Sequence, residues 1–132
     1  SYAGSAEALG EALVAGLDAV SLRGGRLDLS VRLGDEAGGL ELRPRDGRFG
    51  VRCDYRFERA SARALLTVES DAPVPGTLAL RLPPGFRPVS LERDGQPLAF
   101  AEQRIGEDLY AVASTVWGRP RFTLRVARGG AR

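Results

Sequence analysis

The sequence predicts a mainly β protein, an antiparallel β-sandwich of about nine strands with one N-terminal α-helix. Two observations carry this prediction: apolar and polar residues alternate over many short segments, and turn residues separate these segments at intervals of roughly 8 to 12 residues. The chain of 132 residues fits one domain, residues 1–132. Because it begins without methionine and runs at once into a helix pattern, we expect a domain excised from a longer protein.

The N-terminal segment carries the helix prediction. Between Ser5 and Val20 the apolar residues recur at spacings of three and four, which predicts a helix over about residues 5–20. Ser5 is the expected N-cap. Gly10 and Gly16 each cost about 1 kcal/mol relative to alanine, so the helix needs a surface to pack on. We expect it to form the joint to a neighbouring domain.

The strands follow from a change of period to two. Leu27 to Leu33 alternate with polar residues, Leu40 and Leu42 continue the pattern after a glycine-rich turn, and Asp46-Gly47 predicts a hairpin into the strand Phe49–Glu58. Cys53 points inward in that strand and is expected to be buried. Further predicted strands span Ala64–Glu69, Thr77–Leu82, Val89–Arg93, Leu98–Gln103, Leu109–Ala113 and Arg121–Ala127.

Composition excludes several classes of function. All 19 basic residues are arginine, against 17 acidic residues, and the two signs are interspersed, whereas nucleic-acid binders concentrate positive charge on one face. With no histidine and one cysteine, the commonest general base, thiolate metal sites and internal disulfides are excluded. We therefore predict no enzyme activity, catalytic residue, metal or cofactor. No apolar run is long enough to span a membrane, and the compartment stays open.

Three acidic pairs are candidates for acid–base chemistry, Asp35–Glu36, Glu69–Asp71 and Glu107–Asp108. All three flank predicted turns, where acidic residues are ordinary solvated groups, and this interpretation is favoured. Outward arginines could form a basic patch, but acidic residues lie on comparable faces, which favours mixed surface charge. The residues in question are Arg52, Arg56, Arg81 and Arg125, with Asp54, Glu58 and Glu92.

Trp117 lies in a loop-like stretch near Tyr110 and Arg119. An exposed ring there could stack on a sugar, with Tyr110 and Arg119 completing a ligand-binding surface. The favoured alternative is that Trp117 caps the open end of the core, with its N–H donating to a backbone carbonyl.

The segment from Leu82 to Val126, reading LPPGFRPVSLERDGQPLAF and then DLYAV and FTLRV, resembles the accessory β-sandwich domains of bacterial glycoside hydrolases and related carbohydrate-active enzymes. The resemblance implies a supporting or sugar-binding role beside a catalytic domain, and hence a periplasmic or extracellular location. It implies no active-site residue in this chain.

Three hypotheses follow. The leading one is a non-catalytic accessory domain whose partner is a neighbouring catalytic domain of the same protein. The second is an independent carbohydrate-binding module that binds polysaccharide through exposed aromatic residues. The third is a self-associating scaffold domain.

Overall fold

The structure is a computed structural model that describes residues 11–14, 18–23, 25–42 and 50–129. These ranges contain twelve strands and no helix. The strands are β1 (Glu11–Val14), β2 (Asp18–Arg23), β3 (Arg26–Val31), β4 (Gly38–Leu42), β5 (Val51–Glu58), β6 (Arg63–Ser70), β7 (Pro75–Arg81), β8 (Phe86–Arg93), β9 (Gln96–Pro97), β10 (Ala101–Ile105), β11 (Asp108–Val116) and β12 (Arg121–Arg128).

The strands form two six-stranded sheets, which confirms the predicted mainly β class. Sheet I has the order β1-β2-β3-β7-β11-β10, and sheet II the order β4-β5-β6-β12-β8-β9. Two details differ from the prediction: the described residues form twelve strands rather than about nine, and β3 and β7 run parallel. The chain leaves sheet I after β3, builds three strands of sheet II, and returns through β7 in its original direction.

The predicted helix over residues 5–20 is wrong where the structure describes the segment. Residues Glu11–Val14 and Asp18–Arg23 are strands, paired antiparallel with Leu13 opposite Ala19. Residues 5–10 and 15–17 lie outside the described residues, as does the predicted Asp46-Gly47 hairpin. Tertiary pairing overrides the helical period here: β2 continues the ladder of β3, with Val20 opposite Leu29, and the two glycines had already weakened the helix. The expected joint to a neighbouring domain is therefore not helical over Glu11–Val14 and Asp18–Arg23.

Both sheets contribute their inward faces to one hydrophobic core. Cys53 is buried in it, as predicted. Sheet I supplies Leu27, Leu29, Val31, Leu78, Leu80, Ala111 and Ala113, and sheet II supplies Val51, Cys53, Tyr55, Ala64, Leu66, Val68, Leu91, Phe122, Leu124 and Val126. Alternation of buried and exposed residues along β5 and β12 is what a strand with one solvated face requires.

A polar contact fixes the parallel pair. The Asp28 carboxylate on β3 accepts hydrogen bonds from the backbone N–H and the hydroxyl of Thr77 on β7, each at 2.9 Å, and from Arg26 at 3.0 Å. Burial raises the pKa of Asp28, but these hydrogen bonds outweigh it and hold the pKa below its ordinary value. The start of β7 is thus tied to β3 by an ionised carboxylate.

Candidate functional site

Trp117, the candidate for ligand stacking, lies inside the core. Its side chain is 1% exposed, its Nε1 donates a hydrogen bond to the Leu27 carbonyl oxygen at 2.6 Å, and its ring meets that of Phe122 edge to face at 5.9 Å between centroids. This geometry matches the core-capping interpretation, in which the ring is shielded and the N–H is satisfied by a carbonyl. In this position the ring offers no open face to a ligand.

Tyr110 and Arg119 do not join Trp117 in one surface. Tyr110 lies on the outward face of sheet I, opposite Arg81 and Gln103 in the register, and is 6% exposed. It is separated from Trp117 by most of the length of β11, roughly 20 Å at the usual rise per residue. Arg119 is exposed in the loop between β11 and β12. The three predicted residues thus belong to different parts of the fold.

A cleft of about 840 Å³ opens at the other end of β11 and lies within the range of small-molecule sites, about 300–1,000 Å³. We call it the edge cleft. It lies between the end of β7 and start of β8 on one side and the β10–β11 hairpin on the other. Its lining residues are Leu82, Pro83, Pro84, Gly85, Phe86, Arg87, Glu102, Arg104, Glu107, Asp108, Leu109 and Gly129.

Tight turns build one wall of the edge cleft. Phe86 N–H donates to the Pro83 carbonyl at 3.1 Å, and Gly85 between them has φ +85°. Proline followed by a glycine with positive φ is the pattern of a type II turn, so only glycine fits there without strain. The Gly129 N–H donates to the Gly85 carbonyl at 2.8 Å and anchors this turn to the end of β12.

The facing wall is the β10–β11 hairpin. Ile105 pairs with Asp108 across a two-residue turn that begins at Gly106, whose φ is +63°, as hairpin turns of this length require. Leu82 N–H donates to the Leu109 carbonyl at 2.8 Å and joins the two walls at the base. Because backbone hydrogen bonds hold both walls, the cleft is preformed.

Charged groups of both signs face this space. Asp108 forms an ion pair with Arg81 at 3.4 Å, and Arg104 donates to the Glu107 carbonyl at 3.4 Å. Among the described residues, the carboxylates of Glu102 and Glu107 and the guanidinium of Arg87 have no hydrogen bond or ion pair. Glu102 and Arg104 lie on the inward side of the edge strand β10, where charges also discourage pairing with another strand.

The three acidic pairs lie in different parts of the fold. Glu107–Asp108 lines the edge cleft, while Asp35–Glu36 lies in an exposed turn where Asp35 pairs with Arg59 at 3.4 Å. Glu69 is exposed on sheet II. The Asp71 carboxylate accepts a hydrogen bond from the Gly50 N–H at 2.7 Å. Of the three pairs, Glu107–Asp108 is the one that lines the edge cleft.

The outward arginines of sheet II lie in a surface of mixed charge rather than in a basic patch. Arg52 lies opposite Glu69 in the register, and Arg56 forms an ion pair with Glu58 at 3.0 Å. Arg81 belongs to sheet I, so it does not join the others. The favoured interpretation of interspersed charge describes this face.

Sequence reasoning missed Arg87, Glu102 and Arg104 as members of a site. No local pattern could have found them, because Arg87 follows a turn and the other two lie on a strand 15 residues or more along the chain. Their convergence depends on the order of strands in the two sheets. Among the charged residues of the cleft, Glu107 and Asp108 were singled out from the sequence as one of three acidic pairs.

The described residues contain no cluster of three or more histidine, cysteine, aspartate or glutamate side chains suited to hold a metal ion. Within the same ranges no helix has the length and apolarity to cross a membrane.

No protein-family model matches the sequence, and no curated protein matches it significantly. Among solved structures the chain is similar to a GH127 β-L-arabinofuranosidase from Geobacillus stearothermophilus T6, with a TM-score of 0.57 and 21% sequence identity. The match covers 80% of this chain but only 16% of that enzyme's chain. The likeness shows a shared fold: the two-sheet architecture of this chain also occurs as a small part of a glycoside hydrolase.

Proposed function

We propose that the chain is a non-catalytic accessory domain of a bacterial carbohydrate-active enzyme and packs against the catalytic domain of the same protein. The fold supports this, because a similar unit makes up 16% of a β-L-arabinofuranosidase chain. The sequence resemblance to accessory domains of glycoside hydrolases supports it independently. Fold likeness alone does not define a function. The proposal therefore also needs a surface on this chain that is suited to contact the catalytic domain.

The surface that carries the proposal is the outward face of sheet I. One row of residues crosses four adjacent strands there, in the register Ser30, Ala79, Val112 and Ala101. All four are small or medium-sized and uncharged. On the outward face of sheet II the row Gly39, Asp54, Thr67 and Arg121 contains two charged residues. On sheet I charged residues, Asp28 and Arg81, lie in the rows on either side of the uncharged one.

This difference suits sheet I to contact another domain. Burying charged side chains costs desolvation energy, whereas a flat row of small uncharged residues is buried without that cost. Contacts between domains of one chain typically cover about 600–1,500 Å², which a six-stranded face can supply. The occupant we propose is the catalytic domain, docked on the row Ser30–Ala79–Val112–Ala101.

The test uses the natural gene product that contains these residues. Ala79→Arg places a long charged side chain in the centre of the row and should loosen the docking, so limited proteolysis should release the domain faster than in the wild type. Thr67→Arg, on the exposed face of sheet II, is the matched control and should behave as the wild type. Equal release in the two variants would contradict the proposed surface.

The non-catalytic part has its own test. The 132-residue chain alone should not hydrolyse a panel of p-nitrophenyl glycosides, while the natural gene product should. Turnover by the chain alone, or a gene product without a second domain, would overturn the proposal.

A further inference from the structure

We propose that the edge cleft is a binding site for a short neutral oligosaccharide. This inference rests on the proposed function, since it supplies the accessory domain with a ligand of the class that its enzyme handles. It assigns the ligand to the end of β11 opposite Trp117, on the other side of sheet I from Tyr110, with the Pro83–Phe86 turn and the β10–β11 hairpin as its two walls.

The first argument is the combination of apolar and polar surface. The exposed Pro84 and the half-buried Leu109 supply carbon surface to the cleft, and sugars present C–H faces that pack on such groups. Saccharide hydroxyls each donate and accept hydrogen bonds. A site that offers carboxylate acceptors and guanidinium donors together can satisfy both functions of a hydroxyl.

The second argument is the state of the charged groups. Glu102 and Glu107 have carboxylates, and Arg87 a guanidinium, that make no hydrogen bond or ion pair with any described residue, although all three line one concave space. Elsewhere at this end of the fold the carboxylate of Glu58 is bound by two arginines and a serine. The groups in the cleft are thus available to a ligand without breaking an existing contact.

The third argument concerns the net charge of the ligand. Three carboxylates, Glu102, Glu107 and Asp108, disfavour an anionic polysaccharide, and the two arginines, Arg87 and Arg104, disfavour a cationic ligand. A neutral, hydroxyl-rich ligand avoids both penalties. Backbone hydrogen bonds hold the walls in place, so binding costs little ordering of the protein.

The experiment titrates the 132-residue chain with xylo-, cello- and arabino-oligosaccharides and records backbone amide NMR shifts. We expect shifts confined to residues 82–87, 102–109 and 129, with at least one of the neutral oligosaccharides. Polygalacturonate is the acidic comparison and should bind more weakly. Stronger binding of polygalacturonate, or shifts elsewhere in the chain, would overturn the proposal.

Substitutions then test the named carboxylates. Glu102→Gln and Glu107→Gln keep the shape of the side chains and should each weaken binding about tenfold, the value for a hydrogen bond to a charged group. Glu69→Gln, on the exposed face of sheet II, is the matched control and should bind as the wild type. All three variants should melt as the wild type, since exposed substitutions rarely change stability.

The outcomes separate this inference from the proposed function. If no neutral oligosaccharide binds, or if Glu102→Gln and Glu107→Gln bind as Glu69→Gln does, the edge cleft is not the site. The charges on β10 would then serve only to prevent this edge strand from pairing with another strand. The docking of the domain would be unaffected, because it is measured independently through Ala79→Arg in the natural gene product.

Discussion

The two ends of β7, β11 and β12 are built differently. At one end, which we call the tryptophan end, Trp117 closes the space between the sheets and donates to Leu27. At the other end, the cleft end, the space beside Phe86 stays open as the edge cleft. The same two sheets are thus sealed by a buried ring at one end and bordered by charged side chains at the other.

The contacts follow this division. Next to Trp117 the loop between β11 and β12 is tied to β6, with Ser70 N–H donating to the Gly118 carbonyl at 2.7 Å. At the cleft end, beside the backbone hydrogen bonds of the cleft walls, several side-chain contacts are exposed and charged: Arg128 lies 4.8 Å from the ring centroid of Phe86, and Glu58 pairs with Arg63 at 2.8 Å. Buried contacts contribute more to stability than exposed ion pairs, each worth about 0–1 kcal/mol. We therefore expect stability to reside at the tryptophan end and binding at the cleft end.

The largest expected effect is at Trp117. Trp117→Ala removes a fully buried ring and should lower the free energy of unfolding by about 3–5 kcal/mol. Trp117→Phe keeps an aromatic ring but leaves the Leu27 carbonyl without its donor, at a cost of about 1–3 kcal/mol. Urea unfolding measures both. If Trp117→Ala lowered the free energy of unfolding by less than about 1 kcal/mol, the closing role of Trp117 at this end of the core would be contradicted.

The second effect is at Gly76, beside that ring. A methyl group at this position would overlap the Leu27 carbonyl oxygen and lie 2.7 Å from Trp117 Nε1. Gly76→Ala should therefore cost about 3 kcal/mol, the upper part of the range for overpacking. Gly129→Ala, where the nearest atom lies 3.4 Å away, is the control and should stay close to the wild type in thermal unfolding.

A smaller effect is expected at Tyr55. Its hydroxyl donates to the Gly34 carbonyl at 2.5 Å inside the core, and burial raises the pKa of the phenol well above its ordinary value. Tyr55→Phe should cost about 1 kcal/mol. The hydroxyl of Tyr110 has no hydrogen bond within the described residues, so Tyr110→Phe should be nearly neutral in the same unfolding experiment. Equal losses would contradict this comparison.

The smallest effect is electrostatic and belongs to the cleft end. Hydrogen bonds from Arg63, Arg56 and Ser61 lower the pKa of Glu58 from 4.5 to about 2. A lowered pKa in the folded state stabilises the protein above pH 4.5, and this contribution is lost as the pH falls towards 2. Carboxyl NMR titration should show the low midpoint in the wild type.

Stability measurements complete that test. The difference in thermal midpoint between the wild type and Glu58→Gln should shrink as the pH falls through this window, and it should also shrink in high salt, which screens exposed charges. A Glu58 midpoint near 4.5 would show that these contacts do not persist in solution.

Local sequence was sufficient for much of this fold. The alternation from Phe49 to Glu58 predicted a strand with one buried face, which β5 confirms over Val51–Glu58. Asp94-Gly95 forms a tight turn in which both residues have positive φ. Side-chain alternation and turn chemistry are properties of neighbouring residues, so they are visible without a partner. Trp117 was correctly favoured as a cap, since a ring with one N–H has few alternatives near a core.

The tertiary structure decided what depends on a partner strand. The apolar spacing over residues 5–20 fits a helix, yet Asp18–Arg23 is a strand because β3 offers it a ladder. The edge cleft needs β8 and β10 side by side although they lie in different sheets. Sequence by itself therefore determined the mainly β class and the buried face of strands such as β5. Strand order, the parallel pair and the edge cleft were decided by pairing between distant segments, which short-range periodicity does not encode.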